Sequence, residues 1–122
     1  MIPIEDQSLD AWYEFIIRTN YENFPNWEKI DYPYWTTCLA GEVGELCNVT
    51  KKHDRWKRGW RGKKMDKETF LKESFGELGD IFVYWALMCH VWGFDPVEVI
   101  RGVMEKNLAI FGEAKNLWKH EV

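Results

Sequence analysis

Apolar residues recur along this chain every three or four positions rather than every second one, so its periodicity is helical almost throughout. Four helices are predicted. Leu9, Trp12, Phe15 and Ile16 mark the first, "LDAWYEFIIRTN", with Ser8 as its N-cap. Pro25 and Pro33 bracket a loop, "FPNWEKIDYP". A second helix runs from about Tyr34 to His53, its stripe formed by Trp35, Leu39, Leu46 and Val49. Gly59 and Gly62 make the following segment a loop. Asp66 caps a third helix from about Lys67 to Trp92, where Gly93 stops it. Asp95 and Pro96 supply the N-cap and first position of a fourth, which ends near Phe111, and residues 113–122 read as a last turn or a frayed tail. "IFVYW" is rich in strand-formers, but the helical period continues through it to Met88. The expectation is an all-α fold, a four-helix bundle in one domain spanning residues 1–122.

One short pattern interrupts the apolar stripes twice. The second helix contains "GEVGEL", residues 41–46, and the third contains "GELGDI", residues 76–81. A glycine inside a helix costs roughly 1 kcal/mol relative to alanine, so glycines in both words need a reason. Glu42 and Glu45 are three residues apart and share a face, as do Glu77 and Asp80. Glu42 falls on the ridge Leu39, Leu46, Val49, and Glu77 on the ridge Ser74, Ile81, Tyr84, Met88. The acids therefore point to the interior of the bundle or its edge. Carboxylates converging there repel one another and lose hydration, which demands compensating positive charge. Neither helical face offers Lys or Arg beside them, whereas an all-oxygen carboxylate set suits Mg²⁺ or Mn²⁺. The glycines would let backbones, a metal or a ligand approach closely. A di-iron bundle would need Glu-x-x-His on two helices, and the residues three before His53, His90 and His120 are Thr50, Leu87 and Leu117. That alternative fails, and His90 reads as a packed histidine.

Charge adds a second feature. The chain has a formal charge of −4, yet residues 51–64, "KKHDRWKRGWRGKK", carry eight Lys and Arg against the single acid Asp54. This segment is +7 and the remainder −11, an asymmetry that marks a site for anionic partners. Three cysteines without CxxC spacing, Cys38, Cys47 and Cys89, read as buried thiols of a reduced compartment. No basic region followed by an apolar run opens the sequence, and its longest uncharged stretch, Ile81 to Phe94, is 14 residues. A cytoplasmic protein with no membrane partner is expected.

The ordered pair "GEVGELCNVTKK" and "ESFGELGDIFVYWALM", followed by "EKNLAIF", resembles the MazG-like all-α nucleoside triphosphate pyrophosphohydrolases over residues 34–112. The family pattern is an ExxE helix, an ExxD helix and a later Lys-Asn, matched here by Lys106 and Asn107. The 31 residues between Glu45 and Glu77 are a long gap for the family, and the excess falls in the basic loop. The resemblance implies Mg²⁺-dependent (Mn²⁺ possible) hydrolysis of a (d)NTP to the monophosphate and pyrophosphate, with Glu42, Glu45, Glu77 and Asp80 as metal-binding catalytic acids. It also implies phosphate contacts from Lys51, Lys52 and Arg55, and a contribution of Lys106 and Asn107 from the fourth helix or a neighbouring subunit. Trp27, Tyr34 and Trp35 become base-stacking candidates, and a homodimer or homotetramer is expected to complete the bundle.

Two other classes explain part of the sequence. A nucleic-acid-binding module would use residues 51–64, with Trp56 and Trp60 interleaved for stacking. It leaves the interior acids without a role, and the −11 elsewhere opposes a long polyanion. A catalytically silent bundle would explain the fold alone.

Overall fold

The computed structural model describes residues 2 and 4–118, with side chains as far as Glu113. It is all-α: α1 (Leu9–Asn23), α2 (Tyr32–Lys57), α3 (Lys67–Trp92) and α4 (Pro96–Trp118), with a single 3₁₀ turn at Trp27–Lys29 and no strand among the described residues.

Each start is fixed by a side chain that satisfies an otherwise free backbone N–H. Ser8 Oγ accepts from the Ala11 amide at 3.2 Å, and the Asp66 carboxylate from Thr69 at 3.0 Å. Asp95 accepts from Val97 and Glu98 at 2.8 and 3.2 Å. Asp31 is the cap of α2, which begins two residues earlier than the pattern predicts because Pro33 sits comfortably in the first turn. The helix also runs four residues further, to Lys57, so the first seven of the basic residues 51–64 are helical. Its mostly straight-chain cations, Lys51, Lys52, Arg55 and Lys57, are good helix formers and favour a C-terminus. α1 extends to Asn23 and α4 to Trp118, so the first six residues of the expected tail are helical; residues 119–122 lie outside the described residues. Gly93, at φ +77, ends α3 while the amide of Phe94 donates back to the Cys89 carbonyl at 2.8 Å.

The packing is unequal. α2 and α3 form the main helix pair, α1 lies against α3, and the 3₁₀ turn seals the junction. One core gathers Ile17, Trp27, Trp35, Leu87 and Met88, with Tyr13, Ile16, Leu39, Tyr84, Val91 and Trp92 around it. At the far end of the α2–α3 pair, Val49 and Met65 are buried beside His53, whose ring stacks on Phe70 at 4.8 Å and whose Nδ1 lies 2.7 Å from the Met65 carbonyl. The acidic words fall between these two anchors. α4 packs principally on α1, leaving Ile100, Val103, Met104, Leu108 and Phe111 exposed, and α3 exposes Leu71, Phe75, Leu78 and Phe82.

Gly93→Ala should destabilise the chain by about 1–2 kcal/mol, because a Cβ strains its left-handed backbone. Urea unfolding followed by circular dichroism measures the loss, with Asp66→Ala, about 1 kcal/mol, as the comparison.

Candidate metal centre

Glu42 and Glu45 lie one turn apart on α2, facing Glu77 on α3. One carboxylate oxygen from each of the three lies within 4.8 Å of the others. Asp80 is exposed and stands just outside this trio, close enough for its charge to act on Glu42 and Glu77. The predicted quartet is thus a convergent trio with a neighbour. Glu42 and Glu77 are half-buried, and Oε2 of each is shielded from water without a hydrogen-bond partner. Glu45 is exposed, so the cluster sits at the edge of the helix pair and opens outward.

Its electrostatics follow from that placement. Desolvation, then the charges of Glu45 and Asp80, push the Glu42 carboxyl above its usual 4.5. Glu77 is raised by desolvation, by its hydrogen bond and charge interaction with Glu45, and by Asp80 and Glu42. None of the ion pairs among the described residues involves these acids; those pairs are Arg58–Asp54, Lys64–Asp66 and Arg101–Glu98. Two shielded, unpartnered carboxylate oxygens and an all-oxygen donor set fit a hard divalent cation. Glu42, Glu45 and Glu77 would hold it, with Asp80 in reserve.

Towards the N-terminal end of α2, one helical heptad before Glu42, the sequence placed aromatic stacking platforms. Trp27 and Trp35 are instead core residues, 2% and 3% exposed, packed edge-to-face with centroids 5.7 Å apart. The Trp35 Nε1–H donates to the Ile30 carbonyl at 3.0 Å. Burial of two large rings is what secures α1, the 3₁₀ turn and α3 together, so neither offers a free face. Their edges nevertheless line a cavity of about 320 Å³ with Asn20, Phe24, Tyr34, Tyr84 and Leu87. Tyr34 is exposed; the Cys38 thiol beside it raises its phenol. Tyr84 is raised by burial and by Cys38, Tyr34 and Glu42, and it stands two turns along α3 from Glu77. Asn20 and Tyr84 escaped the sequence reading. Tyr84 had a signal, standing seven residues after Glu77 on the same ridge; Asn20, on another helix, had none.

Beyond Glu45, Lys51, Lys52 and Arg55 are all exposed on the last turns of α2. Lys52 and Arg55 border a hollow of about 400 Å³ that also includes Trp56, Trp60, Arg61, Lys63 and Glu73; Lys51 does not. Lys106 is exposed and Asn107 half-buried on α4, whose packing is along α1, so one chain does not bring them to the acids by an α2–α4 interface. His90 is packed as expected, stacked on Trp27 with Nε2 2.9 Å from the Tyr21 hydroxyl. Cys47 is exposed, contrary to expectation, because it lies off the α2 stripe.

The glycines require a further correction. A Cβ built at Gly41, Gly44, Gly76 or Gly79 meets nothing within 4 Å, so close approach of α2 to α3 does not explain them.

Two outcomes are expected in thermal unfolding. Mg²⁺ or Mn²⁺ at a hundred times its dissociation constant should stabilise the chain by about 2.7 kcal/mol, and Glu42→Gln with Glu77→Gln should remove that gain while stabilising the metal-free protein. The folded chain holds Glu42 and Glu77 protons more tightly than the unfolded chain. Their contribution to metal-free stability is therefore largest at low pH and falls as pH rises from 4.5 through the raised values. The cation competes with those protons, so its stabilising effect should grow over the same interval. A metal response indifferent to pH and to both substitutions would remove the centre. Separately, Gly44→Ala should stabilise the chain by about 1 kcal/mol.

No family model matches this chain, and neither does any curated protein or solved structure. Its function is therefore argued from the site.

Proposed function

We propose that the chain is a MazG-like, Mg²⁺-dependent nucleoside triphosphate pyrophosphohydrolase that converts a (d)NTP and water to a (d)NMP and pyrophosphate. The observation that carries this reading is the convergence of Glu42, Glu45 and Glu77 across the α2–α3 pair without a basic partner. The arrangement along α2 supports it. The Trp35 cavity, the acids and the Lys52–Arg55 hollow follow one another along α2, with seven residues, roughly 10 Å of helix rise, from Trp35 to Glu42 and again from Glu45 to Lys52. A nucleoside, an α-phosphate and a phosphate tail have that order.

The residues divide the work accordingly. The cavity beside Tyr34 and Tyr84 receives the base, with Asn20 as its amide hydrogen-bonding group. Lys52 and Arg55 hold the β- and γ-phosphates. A Mg²⁺ or Mn²⁺ ion held by Glu42, Glu45 and Glu77 would neutralise the triphosphate and make a bound water more acidic. One carboxylate of the cluster takes the proton that the attacking water loses. The water oxygen bonds to the α-phosphorus, and the bridging oxygen leaves with pyrophosphate.

Association of copies belongs to the same proposal. Leu71, Phe75, Leu78 and Phe82 form a heptad-like stripe on α3, and Phe75 is 83% exposed. Covering that stripe with a second copy offers Lys106 and Asn107 a route to an acid cluster they do not reach along their own chain.

Mass spectrometry of the products from a panel of (d)NTPs with Mg²⁺ tests the reaction. Monophosphate and pyrophosphate are expected in one step; diphosphate and orthophosphate would defeat the mechanism. Glu42→Gln, Glu45→Gln or Glu77→Gln should lower kcat by about 100-fold or more with the helices intact. Unchanged turnover in all three would return the acids to a solvated surface. In sedimentation, Phe75→Glu with Leu78→Glu should convert an oligomer to the monomer; a wild-type monomer at micromolar concentration would refute association.

A further inference from the structure

The basic hollow at the end of α2 is larger than a triphosphate tail requires. Of the eight cations in residues 51–64, Arg58 is paired with Asp54 at 2.8 Å and Lys64 with Asp66 at 3.5 Å. Lys52, Arg55, Arg61 and Lys63 have no ion pair among the described residues, and all four border the one hollow against the single acid Glu73. The α2 dipole explains cations on the last helical turn. It does not explain Arg61 and Lys63, which the loop returns to the same place.

That return is built into the backbone. Gly59 takes φ +75, its amide donates to the Trp56 carbonyl at 3.0 Å, and the Trp60 amide donates to the Arg55 carbonyl at 3.1 Å. The turn brings Trp60 back beside Trp56, and Gly62 at φ +152 redirects the chain so that Lys63 borders the same space. Met65, buried, and its carbonyl contact to His53 fix the far side. Both indoles remain open, Trp56 38% and Trp60 61% exposed, and Arg58 lies over the Trp60 ring at 5.8 Å. Four converging cations call for an anion, and two open indoles for a planar ring. About 400 Å³ accommodates both in one small ligand.

We propose that this hollow is a second nucleotide-recognition site, distinct from the acid cluster, which takes a phosphate group together with a planar base. Arg61, Lys63 and the two indoles define it; Lys52 and Arg55 are shared with the proposed substrate tail, and only in that sharing does it rest on the proposed hydrolysis. Two sources have this chemistry: the far nucleoside of a dinucleoside polyphosphate whose near end lies at the acids, and a separate nucleotide.

Isothermal titration of the full chain with ADP in low salt and EDTA tests the site without metal or turnover. One ADP per chain is expected. Trp60→Ala, and Arg61→Glu with Lys63→Glu, should each weaken it by about tenfold or more. Trp60→Phe should restore affinity, and Glu42→Gln with Glu77→Gln should leave it unchanged. The second arm distinguishes the sources. If the ring belongs to the substrate, a dinucleoside tetraphosphate outbinds the corresponding triphosphate and Trp60→Ala abolishes that difference. If the nucleotide is separate, the two bind alike and ADP binding persists. No ADP binding in EDTA, or binding indifferent to both sets of substitutions, overturns the proposal even if the chain hydrolyses triphosphates. A single-stranded oligonucleotide that binds far more tightly than ADP, with a log–log salt slope of about −0.7 for each of several phosphates, replaces it with a nucleic-acid surface.

Discussion

Carboxylates held partly out of water, beside one another, set the terms for the rest of this molecule. Glu42, Glu45 and Glu77 gain nothing from proximity: Glu42 and Glu77 lose hydration, and the charge of Glu45 raises the cost of ionising both. Such a cluster survives only if the helices carrying it are fastened elsewhere. The aromatic core at one end of the α2–α3 pair and the His53–Phe70 stack with buried Val49 and Met65 at the other supply the fastening. The middle of the pair can therefore be electrostatically unfavourable without the helices parting. On the proposed function, packing at both ends would hold the acids in place before a cation arrives, the preorganisation that metal-assisted chemistry needs.

The segregation of charge along α2 follows from the same constraint. A Lys or Arg one turn beyond Glu45, at position 48 or 49, would neutralise the acids directly, and the site would become a set of ion pairs. Two turns of separation leave the acids short of positive charge and the cations short of negative charge. A phosphorylated ligand carrying a divalent cation satisfies both shortages at once. Neither half alone does so, and on the proposed function this is why the ligand is a small metal-bound polyphosphate and not a long polyanion.

The helical fold was legible because it depends on local signals: Ser8, Asp66 and Asp95 as caps, Gly93 as a stop, and stripes of period 3.6. The convergence of the acids was legible too, since Glu42 and Glu77 each occupy a position on an apolar ridge, and two ridges of a bundle must face each other. What escaped prediction depends on how the helices pack. A buried tryptophan and a stacking tryptophan have the same sequence signature; only the enclosure of Trp27 by Tyr21, Trp35 and His90 distinguishes them. α2 ends four residues beyond the predicted His53, because helix propensity and the dipole favour Asp54 to Lys57 as helix and only Gly59 and Gly62 require the loop. The position of α4 could not be read at all, since its amphipathic pattern fits any apolar neighbour.

The glycines of the two words connect these observations. Inside a helix each costs roughly 1 kcal/mol, and open space around the would-be Cβ atoms means that α2 and α3 do not recover this by closer packing. The acids on either side are not packed against those glycines in a way that demands them either. A residue without a side chain beside a carboxylate does leave the carboxylate accessible from the flank, and on the proposed reading that flank is where a triphosphate and its cation must enter. Alanine at Gly44 would strengthen the helix while narrowing that approach, so stability and ligand access are set against each other at the same position. The repeated word is then understood as a balance between the two, written once on each helix that carries the acids.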